Sequence, residues 1–352
     1  MINTNYETKP EWIEKGYWIE PDLTTVKINQ KNLDEYWYWI HERQSIWHKR
    51  VILGEPAPWT EDGILKEYKF TNAIRDLDRL TIYYIDNILS NLEATKTAGV
   101  ISIGEIQKSV ILNTMIYRLF CRIETWEEIG YIALNDWEEE WPKAKERLRK
   151  RREEGHSIFT SAYYVNDLKA GNPNPETNSN KLENAICLIE DWYKNIQDIY
   201  VNGFLEAGSM KEQLDYFKTL KCIGHFTAYE WSCDFCLAER YTGVKLVRWT
   251  DDSYTNVGPG AKRGLDWIFE DLGNMNHLQA IFYLRSIAKD EFKRLGYDKT
   301  MKWPVKVTDF NLRVIEHDLC EYQKYKKAKE GVGRPKVKFK QSTFDNSVLK
   351  GR

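Results

Sequence analysis

With 352 residues, 42% of them hydrophobic and 30% charged, the chain has material for one large domain or two closely packed ones, and too much apolar content for extended disorder. Its 51 Lys and Arg against 53 Asp and Glu leave a net charge of −2, which excludes a global attraction to nucleic acid and confines any such contact to local basic patches. No apolar run approaches the roughly 20 residues that cross a bilayer, and the first residues lack the blocks of a signal peptide, so a cytoplasmic protein without a membrane partner is expected.

Taken in chain order, the pattern is helical. Asn32 to Lys49 carries Leu33, Tyr36, Trp37, Ile40 and Trp47 close to the helical period, which predicts an amphipathic helix. Its aromatic cluster suits base stacking, but aromatics are core material first. Pro56 and Pro58 end this helix, and Thr60-Glu61-Asp62 reads as a cap with acids ahead of a short helix over Asp62 to Phe70. Further helices are predicted over Ala73 to Leu89, Ile106 to Trp126 and Trp137 to Glu154, the last strongly basic from Lys143 to Arg152. Gly171 to Asn180 is the clearest breaker and marks a lobe boundary. Beyond it helices are expected over Lys181 to Ala207, Met210 to Lys221, after Gly224, and over Ala261 to Phe269, Asn276 to Leu295 and Thr308 to Lys329. The predicted fold class is all-α, with an N-terminal lobe over 1–170, a C-terminal lobe over 181–340 and a basic tail over 341–352.

Six cysteines in a chain of this length read as thiols, and the Cys233-x-x-Cys236 pair lacks the second pair of a zinc ribbon. No Walker lysine loop or dinucleotide glycine pattern is present. Four stretches concentrate polar chemistry instead. Leu220 to Tyr229 places Gly224 between two apolar helical segments, as in a helix-hairpin-helix whose amides hold phosphate, with Phe226 and Tyr229 on the second helix. Cys222 stands where such hairpins carry a further glycine, and an ordinary helix–helix turn competes. Trp249-Thr250-Asp251-Asp252 leads into Gly258-Pro259-Gly260-Ala261-Lys262-Arg263-Gly264, a glycine-rich helix start with two cations and a plausible pyrophosphate cradle. Pro58 to Arg79 includes Trp59, Asn72, Arg75, Asp78 and Arg79; at helical spacing Asn72, Arg75 and Arg79 share a face that suits a base edge or phosphate, or else exposed ion pairs. Near the end, Glu316 and Cys320, and His317 and Glu321, lie one helical turn apart, followed by Lys324 and a basic segment.

The blocks PWTxD, KFTNxxRDLDR, IGxFTAY, GPGAKRGL and EHDLCEYQKY occur here together between Pro58 and about Lys340. In that combination and order the chain resembles the helical domain of 5-hydroxymethyluracil DNA kinases and, more closely, the α-glutamyl/putrescinyl thymine pyrophosphorylases, or amino acid:DNA transferases. It departs from the kinases in having no P-loop domain. The resemblance implies a DNA glycosylase-like helical fold and a substrate of DNA whose 5-hydroxymethyluracil is activated as a pyrophosphate ester, from which an amine or amino acid displaces pyrophosphate. Such a reaction needs cations for the leaving group, a base for the amine and a pocket for an extruded nucleotide. Lys262 and Arg263, or Arg75 and Arg79, are the candidates to hold pyrophosphate, with Mg²⁺ as a possible aid at Asp78 or Glu321. Asp252 or Glu316 is the candidate base, and Cys320 a candidate nucleophile if a cation lowers its pKa. A modified-base DNA-binding subunit working beside a 5-hydroxymethyluracil DNA kinase, and a base-excising glycosylase, are the alternatives.

Overall fold

The computed structural model describes residues 10–96, 100–160, 180–333 and 337–339, the side chains of 100–102 excepted. It is all-α, as the periodicity predicts. The helices are α1 (Glu11–Glu14), α2 (Gln30–Trp47), α3 (Gly63–Glu67), α4 (Arg79–Asn87), α5 (Val100–Phe120), α6 (Ile123–Ile129), α7 (Trp137–Glu153), α8 (Lys181–Lys194), α9 (Ile196–Tyr200), α10 (Met210–Phe217), α11 (His225–Thr242), α12 (Pro259–Ile268), α13 (His277–Arg294) and α14 (Leu312–Lys329). Two short strands, β1 (Lys27–Ile28) and β2 (Phe269–Asp271), pair antiparallel. The loop expected at 171–180 and the tail at 341–352 lie outside the described residues, apart from Asn180, whose side chain caps α8.

Several boundaries moved for local reasons. Cys121 takes a left-handed φ of +47°, which ends α5 at Phe120 where a single helix to Trp126 was predicted. The helix predicted over Lys181 to Ala207 is α8, α9 and a π turn at Val201–Glu206. At Asp62 the side chain accepts from the amides of Ile64 and Leu65, both at 2.9 Å, so Asp62 is the cap of α3 rather than its first helical residue.

Contacts group the chain into two compact units, Met1–Asp78 with Asp251–Arg352, and Arg79–Thr250. This differs from the expected division at 170–181, because the two ends of the chain share one core. In the first unit Tyr36 donates to the Ile315 carbonyl (3.1 Å) and Tyr322 to that of Asn32 (2.9 Å). Trp37 packs edge-on against Phe292 and Phe310, with centroids 5.8 and 5.9 Å away. The aromatics of α2 that suited base stacking are therefore mostly core: Tyr36, Trp37 and Trp39 are fully buried. In the second unit Trp192 and Trp231 meet edge to face, and a buried Arg118–Asp234 pair ties α5 to α11. Cys233 and Cys236 are buried thiols of α11.

Candidate functional site

Polar side chains converge in the first unit where 70–78 meets α2 and α14. The chain leaves α3 at Tyr68 in extended conformation and does not return to helix until α4, apart from the 3-10 turn Arg75–Leu77. Side-chain hydrogen bonds hold it open: the Asn72 amide donates to Asp78 Oδ1 (3.0 Å), and Asn72 Nδ2 donates to the Leu77 carbonyl (2.8 Å). Such local bonds offer the backbone an alternative to the helical ladder. Arg43 of α2 reaches across, its Nε donating to the Thr71 carbonyl (2.9 Å) and its guanidinium to Asn72 Oδ1 (2.8 Å). Arg75 pairs with Asp78 at 2.9 Å.

α14 supplies the other wall. Its start is capped by Asn311, whose side chain accepts from Val314 N (2.8 Å). Glu321 accepts from the Thr71 amide (3.3 Å) and pairs with Lys324. Glu316 accepts from the Gly258 amide at 3.3 Å and lies 3.7 Å from His317. The glycines of the GPGAKRG stretch explain how α12 comes so close to α14. A Cβ on Gly264 would stand 2.4 Å from the Leu319 carbonyl oxygen, and one on Gly260 would stand 2.2 Å from Cys320 Sγ. One turn apart, these two positions bring the backbones together, much as small residues do at close helix crossings.

Burial is the largest single influence on the titratable groups here. It pushes the Asp318 carboxyl well above the usual carboxylate range; Arg75 pulls it back, while Glu321 and Asp78 push it further up. It likewise raises the Cys320 thiol, against the pull of Lys324 and Arg75. Arg43 is lowered to about 10, chiefly by desolvation, with Asp78 opposing. Burial works against the charge on Lys324, but Glu321 and Cys320 prevail and hold it above its ordinary value.

The family model for the helical domain of 5-hmdU DNA kinase matches residues 30–333. This chain belongs to that family. The 5-hmdU DNA kinase of Bacillus phage SP10 is 41% identical over 323 residues, covering 91% of this chain and 49% of the phage protein. The helical-domain chain thus spans about half the length of the curated relative it matches. No solved structure matches it.

Within this 5-hmdU-kinase-type helical domain, Asn72, Arg75, Asp78, Glu321 and Lys324 stand together, with Glu316 and Cys320 on the same helix α14. The helical face predicted for Asn72, Arg75 and Arg79 does not form, because 71–74 is not helical; Arg79 opens α4 in the other unit, exposed and 3.9 Å from Glu124. Asp252 is engaged rather than available: both its oxygens pair with Arg285 at 2.9 Å, and Oδ1 also accepts from Leu312 N. Gly258 and Gly260 serve α12–α14 packing rather than forming an open cradle, and Lys262 and Arg263 project from the exposed face of α12. Trp59 is half-buried, with Arg50 over its ring at 5.4 Å and Phe339 against its edge. Gly224, Phe226 and Tyr229 lie in the other unit, where 218–224 joins α10 to α11; Phe226 is exposed and Tyr229 buried. Cys222 there adopts φ +62°, which accounts for the glycine usual at such a turn. Asp78 and Glu321, the carboxylates considered for Mg²⁺, are occupied by Arg75 and Lys324, and among the described residues no group of three His, Cys, Asp or Glu side chains is arranged to hold a metal. These residues do not fit a dedicated Mg²⁺ site.

Sequence reasoning missed Arg43 and Asp318. Arg43 carried no motif signal. Asp318 lies one turn before Glu321 and the buried Tyr322, a spacing that puts it on the inward side of α14.

Proposed function

We propose that this chain acts on DNA carrying 5-hydroxymethyluracil activated as its pyrophosphate ester, and replaces pyrophosphate by an amine or amino acid. The observation that carries the reading is the convergence of Arg43, Arg75 and Lys324 with Asn72, Asp318 and Glu321 in one largely buried network. Guanidinium and ammonium groups prearranged in a water-poor site are what a departing pyrophosphate requires, and they act most strongly on charge that develops as the bond breaks. Asn72, already fixed by Arg43, offers an amide suited to a base edge. Family membership supports modified-base DNA as the substrate. Exposed Lys262 and Arg263 are the proposed backbone contacts.

A second reading is favoured by one observation: the chain matches about half of a phage protein that is a 5-hmdU DNA kinase. On that reading it is the base-recognising partner of a separate phosphorylating protein and makes no covalent change itself. Incubating purified protein with pyrophosphorylated 5-hydroxymethyluracil DNA and a mixture of amines, followed by nucleoside mass spectrometry, separates the two. An aminated nucleoside with pyrophosphate release supports exchange. Tight binding without product supports the recognition role, and abasic sites would point to glycosylase chemistry.

A further inference from the structure

Within this network α14 carries one carboxyl group that makes no hydrogen bond among the described residues. Asp318 is fully buried, and among the described residues neither of its oxygens has a hydrogen-bond partner. A buried carboxyl without hydrogen-bond partners lowers stability, a cost that functional groups often carry. Around it stand Arg75 and Asp78 from the 3-10 segment, Arg43 and Tyr36 from α2, and Glu321 from its own helix. Arg75 and Asp78 are 16% and 17% exposed, whereas Asp318 is fully buried.

We infer that Asp318 is the proton-transfer residue of the exchange proposed above, an inference that rests on that reading. Glu321 is committed to Thr71 and Lys324, Glu316 to the Gly258 amide, and Asp252 to Arg285 and Leu312, whereas neither oxygen of Asp318 makes a hydrogen bond among the described residues. As the amine nitrogen bonds to the exocyclic carbon, the bond from that carbon to the pyrophosphate oxygen breaks. The Asp318 carboxyl passes its proton to the departing oxygen and becomes a carboxylate. The carboxylate then takes a proton from the newly formed ammonium, which restores the acid and releases the secondary amine. Burial raises the Asp318 carboxyl well above the usual carboxylate range, the direction this step requires.

The test compares wild-type protein with Asp318→Asn, which keeps the shape of the carboxyl group but transfers no proton. Expected are a loss in amine-transfer rate of about 10²-fold or more, unchanged DNA affinity, and a melting temperature equal to or above wild type. A melting temperature that falls together with activity would make Asp318 structural and overturn the inference. A pH profile of the wild type needs no variant: the rate should fall as alkaline pH removes the acid, and a flat alkaline limb would overturn the role. Absence of transfer by the wild type removes the exchange reading and this role with it. Equal transfer by wild type and Asp318→Asn removes the role of Asp318 alone.

Discussion

Replacing Gly264 by alanine isolates the packing on which the candidate site depends. The added methyl would lie 2.4 Å from the Leu319 carbonyl oxygen, 2.9 Å from its carbonyl carbon and 3.1 Å from its Cα. All three are backbone atoms, so no side-chain rotation relieves the clash, and α12 and α14 must separate by roughly 1 Å to reach ordinary contact. Overpacking of this kind costs about 1–3 kcal/mol, and more where backbone must move, while alanine returns about 1 kcal/mol of helix propensity. The expected balance is a net loss of about 1–2 kcal/mol. Gly104 provides the control, since it sits within α5 and an added Cβ would meet nothing within 4 Å. There the same substitution should stabilise by up to about 1 kcal/mol. Urea titrations of both variants, followed by far-UV circular dichroism, measure the two signs. Gly264→Ala should also lower activity, because Leu319 lies between Asp318 and Cys320. Equal stability of Gly264→Ala and wild type would refute the packing argument.

Arg75→Lys keeps a charge beside Asp78 but loses the planar fork, so it should reduce turnover while folding normally; unchanged turnover in steady-state assays would count against a bidentate grip on phosphate. Lys262→Ala should weaken binding to all DNA sequences alike and reduce the salt slope by about 0.9, as measured by fluorescence anisotropy across a salt series. The raised thiol of Cys320 should alkylate slowly with iodoacetamide near neutral pH and faster only as pH climbs towards the alkaline range. Cys320→Ser should then retain near-normal transfer, and a large loss with intact folding and DNA binding would restore the thiolate route.

Local signals in the sequence determined a good deal. Apolar spacing located the principal helices, with α2, α7, α13 and α14 within a few residues of expectation, and the EHDLCE block lies on α14, which carries part of the candidate cluster. What failed locally was 71–78, where the spacing suited a helix but bonds from Asn72 and Asp78 to the backbone prevailed. The rest belonged to tertiary structure. Periodicity identifies which face of a helix is buried but not what covers it, so the meeting of Arg43, Thr71 and Glu321, residues up to 278 positions apart, was not legible. Nor was the function of Gly260 and Gly264, because a glycine opening a helix looks the same whether its missing side chain admits a phosphate or another helix. Asp252 was expected as a free base and Asp318 was not singled out, for the same reason: a carboxylate is free or committed only in relation to the groups that folding places beside it, here Arg285 for one and no hydrogen-bond donor among the described residues for the other.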